Sequence, residues 1–84
     1  MKFQAGELFY VTRQASPQFV KPIYFRLIRV LDLVTYQGWI WLDGYELNAA
    51  GDATERREIY VQKEGLKRLR VIPRQYRHQK EPSA

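Results

Sequence analysis

The sequence has no cysteine and a single histidine, His78, and each scarcity closes off a branch of chemistry. Without cysteine there are no disulfides and no thiolate metal ligands. One histidine, set among Arg, Gln and Lys near the C-terminus, supports neither a histidine metal site nor a His-based triad. Glycine is sparse, and nothing in the loops resembles a phosphate-cradling glycine loop. The stretch Met1-Lys2-Phe3-Gln4-Ala5-Gly6-Glu7 lacks the apolar core of a signal peptide, and no apolar run approaches membrane-spanning length. A cytoplasmic location without a membrane partner is therefore expected. The acids Asp43, Glu46 and Glu55 flank a hairpin, where carboxylates commonly sit solvated, and nothing pairs them with a base or nucleophile. Neither catalysis nor a cofactor is expected.

What is present is a chain of 84 residues, enough for one small domain, with 45% hydrophobic and 27% charged residues. That balance is globular rather than disordered. The net charge of +5 is unevenly placed. Through residue 62 basic and acidic side chains cancel, so the whole excess falls in residues 63 to 84. A basic end on a neutral body suits a polyanion or an acidic partner, though it also serves simple solubility.

The centre of the pattern is Tyr36 to Tyr45, Tyr-Gln-Gly-Trp-Ile-Trp-Leu-Asp-Gly-Tyr. Strict alternation sends Trp39, Trp41 and Tyr45 to one side of a strand and Ile40 and Leu42 to the other. Both sides are bulky, so both must be covered, or one must face a partner. Four further strands fit around it. Gly6 to Gln14 is rich in aromatic and β-branched residues, and the proline-bounded stretch Ala15 to Pro22 is a loop. Ile23 to Leu33 alternates until Ile28-Arg29, where apolar positions swap sides and a bulge is expected. Asn48 to Ala53 is the strongest turn signal, and Glu55 to Gln62 completes a hairpin with the central strand. Lys63 to Leu66 reads as one helical turn before a last strand, Lys67 to Ile72.

This order of elements resembles the SH3-like small β-barrel. The resemblance is architectural and spans roughly residues 6 to 72. It implies an all-β, five-stranded SH3-like barrel over residues 1–72 with a short helical turn before the last strand. The composition after Pro73, which lacks aliphatic residues, is expected to give a disordered basic tail over 73–84. An OB-type barrel wants a helix between its third and fourth strands, for which Asn48 to Thr54 is too short. Glu58-Ile59-Tyr60-Val61, with Leu66 to Leu69 after it, also looks a little like the end of the plasmid-encoded type II dihydrofolate reductases. There a Val-Gln-Ile-Tyr segment lines a pore. Here Arg57-Glu58 stands in place of the Val-Gln and the spacing is two residues longer, so carboxylates would repel an anionic cofactor and reductase activity is not expected.

Two surfaces are candidates for binding. If exposed, Trp39 and Trp41, joined by Tyr24, Tyr36, Tyr45 or Tyr60 as registers permit, form a platform for stacking bases, at ~1–3 kcal/mol each, or for docking an apolar peptide. If covered, they are core or dimer packing. Lys67, Arg68, Arg70 and Arg74, interleaved with Tyr76, form a phosphate-tracking surface without a sequence-reading signature, though such charges also protect an edge strand from aggregation. The expectation is a small non-enzymatic binding module contacting nucleic acid through Trp39, Trp41, Lys67, Arg68, Arg70 and Arg74. The alternative is a protein-interaction module, or a homodimer, docking through the aromatic face.

Overall fold

The computed structural model describes residues 2–73. They form five antiparallel strands: β1 (Leu8–Val11), β2 (Ile23–Leu31), β3 (Trp39–Leu47), β4 (Ala53–Gln62) and β5 (Lys67–Leu69), with a 3₁₀ turn at Lys63–Gly65 before the last. The sheet runs in the order β4-β3-β2-β1-β5, a small barrel-like arrangement around one core. Among the described residues no helix is long and apolar enough to cross a membrane. The expected tail, with Arg74 and Tyr76, lies outside the described residues.

The bulge expected near Ile28-Arg29 is present. β2 pairs with β3 through Leu27↔Gly44 and then Arg29↔Asp43, which leaves Ile28 as the extra residue. An inserted residue bends a strand and sharpens its twist. On its other side Leu27 exchanges backbone hydrogen bonds with the start of the chain: Leu27 N–H donates to Glu7 O at 2.9 Å, and Gly6 N–H to Leu27 O at 2.8 Å. One strand thus serves β3 and β1 together.

The inner side of the sheet is the core. Phe9 and Val11 of β1, Phe25 and Leu27 of β2, Ile40 and Leu42 of β3, and Ile59 and Val61 of β4 are all buried, as the period of two requires. The stretch Ala15 to Pro22, read from sequence as a plain loop, sends Phe19 into that core, with the Arg57 guanidinium 5.5 Å above its ring. Ala15 also closes the structure, its carbonyl accepting from Gln62 N–H at 2.7 Å. Gly65 packs so tightly on this loop that a Cβ there would fall 2.0 Å from the Gln14 carbonyl oxygen.

The strand expected over Lys67 to Ile72 stops at Leu69. Its partner β1 begins at Leu8, which pairs with Leu69, and the preceding Glu7 is folded into a turn with Gln4. With no ladder left to join, Val71 stands 72% exposed rather than packing beside Leu69.

Candidate functional site

The alternation of β3 places Trp39 and Trp41 on the outer side of the sheet, away from Ile40 and Leu42. Both indoles are half-buried there. They are neither core nor an open platform, because Tyr60 of β4 fills the space between them. Its ring lies 4.9 Å from each indole, at interplanar angles of 26° to Trp39 and 29° to Trp41. Tyr60 is the cross-strand partner of Trp41 and diagonal to Trp39, which is where such pairs meet. The stack occupies one face of each indole, so no base can slide between the two.

The Tyr60 hydroxyl extends the stack to the β2–β3 connection by accepting from Tyr36 N–H at 3.0 Å. That connection turns at Gly38, whose φ of +86° favours glycine, while Trp39 N–H donates to Tyr36 O at 3.0 Å. The hydroxyl therefore holds in place a segment with unusual surface chemistry. Val34 is 99% exposed, Tyr36 77% and Leu33 54%, with Val30 exposed at the end of β2. Leu31, opposite Trp41, is half-buried. Three of the seven large apolar side chains exposed among the described residues, Leu33, Val34 and Tyr36, fall in this one connection, which the Tyr36–Tyr60 hydrogen bond attaches to the aromatic stack. In sequence, Leu33 was read as the end of the second strand, but β2 stops at Leu31, and Leu33 and Val34 are aliphatics with no core to enter.

Further along the same outer side lies Asp43, 2% exposed. It is not the solvated hairpin acid expected from sequence. Arg56 of β4 donates to both its oxygens, Nε to Oδ1 at 3.1 Å and Nη2 to Oδ2 at 2.8 Å, and Arg29 of β2 adds Nε to Oδ2 at 3.3 Å. The hydrogen bonds from Arg56, more than any other effect, hold the Asp43 carboxyl below its ordinary range, with burial opposing, and raise the Arg56 guanidinium in turn. Arg57, on the inner side, pairs with Glu46 at 2.8 Å. Arg56 and Arg57 are thus both engaged in cross-strand ion pairs with acids of β3.

The expected basic surface is divided. Arg68 is held by Glu7, Nε to Oε2 at 2.7 Å, donates to the Lys2 carbonyl, and lies 5.3 Å above the Phe3 ring and 5.5 Å above Phe9. The hydrogen bond from Arg68 is the chief reason that the Glu7 carboxyl sits below its ordinary value. Lys67 and Arg70 are exposed and form no ion pair among the described residues. Arg74 lies outside the described residues. β5 is separated from β3 in the sheet order by β2 and β1, so Lys67 and Arg70 do not join Trp39 and Trp41 in one surface. Among the described residues no three His, Cys, Asp or Glu side chains are grouped to hold a metal. Comparison with family models, with curated proteins and with solved structures finds no match to this chain.

Proposed function

We propose that this chain is a non-enzymatic binding module, of the SH3-like barrel kind, that docks an apolar segment of a protein partner on its outer aromatic face. The strand order β4-β3-β2-β1-β5, the bulge in β2 and the 3₁₀ turn before β5 support the barrel reading. One observation carries the function: Leu33, Val34 and Tyr36, all exposed, stand next to the half-buried Trp39–Tyr60–Trp41 stack and are tied to it by the Tyr36–Tyr60 hydrogen bond. A contiguous exposed apolar patch beside rigid aromatics is the usual composition of an interaction surface. The nearby guanidiniums of Arg29 and Arg56 are engaged by Asp43, so the face favours a partner of low charge.

Selection of short peptides by display against the full chain tests this. Apolar sequences should be selected and bind with little dependence on salt. Val34→Asp, at a position that touches no core, should abolish their binding without altering the circular dichroism. Selected peptides that bind Val34→Asp as well as the parent chain would overturn the reading. A native mass that rises with concentration, and falls to monomer in Val34→Asp, would identify a second copy as the occupant.

A second reading, nucleic-acid binding, is favoured by a different observation: Lys67 and Arg70 are exposed cations at the β5 edge, where the basic end of the chain begins. It predicts an affinity for oligonucleotides that falls steeply with salt through counterion release. In this reading Trp39 and Trp41 would offer a base only the indole faces that Tyr60 leaves uncovered.

A further inference from the structure

At the end of the sheet away from the aromatic stack, an open cleft of about 740 Å³ lies between the β3–β4 turn and the residues that follow β5. One wall is the turn Ala49–Gly51. It is held rigid by Asn48, whose Oδ1 accepts from Ala50 N–H at 2.9 Å and Asp52 N–H at 3.0 Å, while Asn48 O accepts from Gly51 N–H at 2.9 Å. The opposite wall is Val71 and Ile72, with Ile72 Cδ1 only 3.9 Å from where a Cβ of Gly51 would stand. Val71, exposed because the β5 ladder ends at Leu69, is an apolar lining here.

Arg26 and Arg70 complete the cleft, and both also line a smaller cavity beside it. Both arginines thus border the space between the two cavities. Arg26 is oriented by donating Nη1 to Gly6 O at 2.7 Å, which leaves most of its N–H groups unused. Neither arginine has a carboxylate partner among the described residues. The one acid lining the smaller cavity with them, Glu7, is taken by Arg68. Two arginines lining one cleft with no carboxylate partner among the described residues call for an anion, and a planar fork suits the oxygens of a phosphate.

We infer that this cleft binds a nucleoside phosphate, its phosphate bridged by Arg26 and Arg70 and its base laid against Val71, Ile72 and the Ala49–Gly51 turn. The inference rests on the nucleic-acid reading, not on the aromatic docking face. A strand is the source that the surroundings favour, because Lys67 lies on the same edge and the sequence beyond Pro73 continues with Arg74, Arg77 and Lys80.

The test is fluorescence anisotropy of a short labelled homothymidine oligonucleotide titrated with the full chain at low salt. Binding should weaken by about tenfold or more in Arg70→Glu, as loss of a charge-assisted phosphate contact implies, and stay unchanged in Arg13→Glu, a control at an exposed loop position. Thymidine monophosphate that displaces the oligonucleotide would assign the cleft to free nucleotides; failure to displace it would assign it to strands. Oligonucleotide binding that is indifferent to Arg70→Glu and to Arg26→Ala would overturn the cleft while sparing the nucleic-acid reading. No binding at low salt would overturn both. Equal competition by a polyglutamate peptide would overturn the nucleotide in favour of an acidic polypeptide.

Discussion

Arg56 grips the buried carboxylate of Asp43 from the neighbouring strand with two hydrogen bonds, of 3.1 and 2.8 Å. The two guanidiniums on this carboxylate keep water-facing charge at the rim and let Asp43 stay ionised while 2% exposed. Its folded pKa is depressed, chiefly by the Arg56 hydrogen bonds. A group whose pKa is lower folded than unfolded stabilises the fold above its unfolded value, near ~4 for Asp. That contribution is complete at neutral pH and is lost as pH falls from there through the depressed value. Glu7, lowered by Arg68, acts in the same direction. Acid unfolding followed by circular dichroism should therefore begin below about pH 4. Asp43→Asn should flatten the acid limb and cost ~1–3 kcal/mol at neutral pH, the usual range for losing charged hydrogen bonds.

Gly44, one residue along, answers to a different constraint. A Cβ at this position would lie 2.3 Å from the Arg26 carbonyl oxygen and 2.6 Å from Phe25 Cζ. The aromatic ring can yield a little, but the β2 backbone cannot without breaking the ladder beside the bulge. Gly44→Ala should destabilise by about 3 kcal/mol, the upper part of the overpacking range, as read by chemical denaturation. Equal stability of Gly44→Ala and the parent chain would mean that β2 and β3 do not approach as closely as their register requires.

How far the sequence foretold this arrangement depends on which force set each part. The alternation of β3 was legible, because a period of two separates Trp39 and Trp41 from Ile40 and Leu42, though large side chains on both faces left open which pair turns inward. The bulge at Ile28 was legible for the same reason: it is where the alternation fails. Phe19 was not, since a lone aromatic between two prolines carries no period, and its burial is decided by a core assembled from residues far away in sequence. Asp43 was misread because an acid's burial depends on whether two strands bring arginines to it. Arg56 reaches it from β4, and Arg29 arrives from β2 only through the shift of register. Tyr60 was one of four tyrosines that the sequence offered to the tryptophans. Register chose it, while Tyr24 instead meets Tyr10, its ring tilted at a centroid distance of 5.4 Å.

Tyr60 performs two separable tasks, which substitutions can divide. Tyr60→Phe keeps the ring between the indoles and removes only the hydroxyl that holds Tyr36 N–H. Stability should fall by no more than ~1 kcal/mol, tryptophan emission should stay nearly unchanged, and amide exchange at Tyr36 should quicken. Tyr60→Ala removes the ring, and both indoles lose the aromatic neighbour that shields one face. Emission should then shift clearly to the red. An unshifted spectrum in Tyr60→Ala would show that the indoles are sheltered by something other than Tyr60.

Arg68 and its neighbour Lys67 provide the sharpest separation of structural from available charge. They are adjacent on the last strand, yet Lys67 is exposed without an ion pair among the described residues, while Arg68 ties Glu7 and the Lys2 carbonyl to the edge and covers the rings of Phe3 and Phe9. β5 is only three residues long and holds to the sheet through β1 alone, so these contacts are a large share of what keeps it in place. Arg68→Ala should cost about 1–2 kcal/mol through the lost charged hydrogen bond and cation–π contacts. Arg68→Lys should recover only part, because an ammonium cannot reproduce the planar fork. Lys67→Ala should be neutral in thermal unfolding, and if the β5 edge meets a polyanion it should reduce the salt dependence of that binding by about one counterion. The order of the two melting temperatures decides the matter: a Lys67→Ala chain that melts below Arg68→Ala would reverse the division of labour drawn from the geometry.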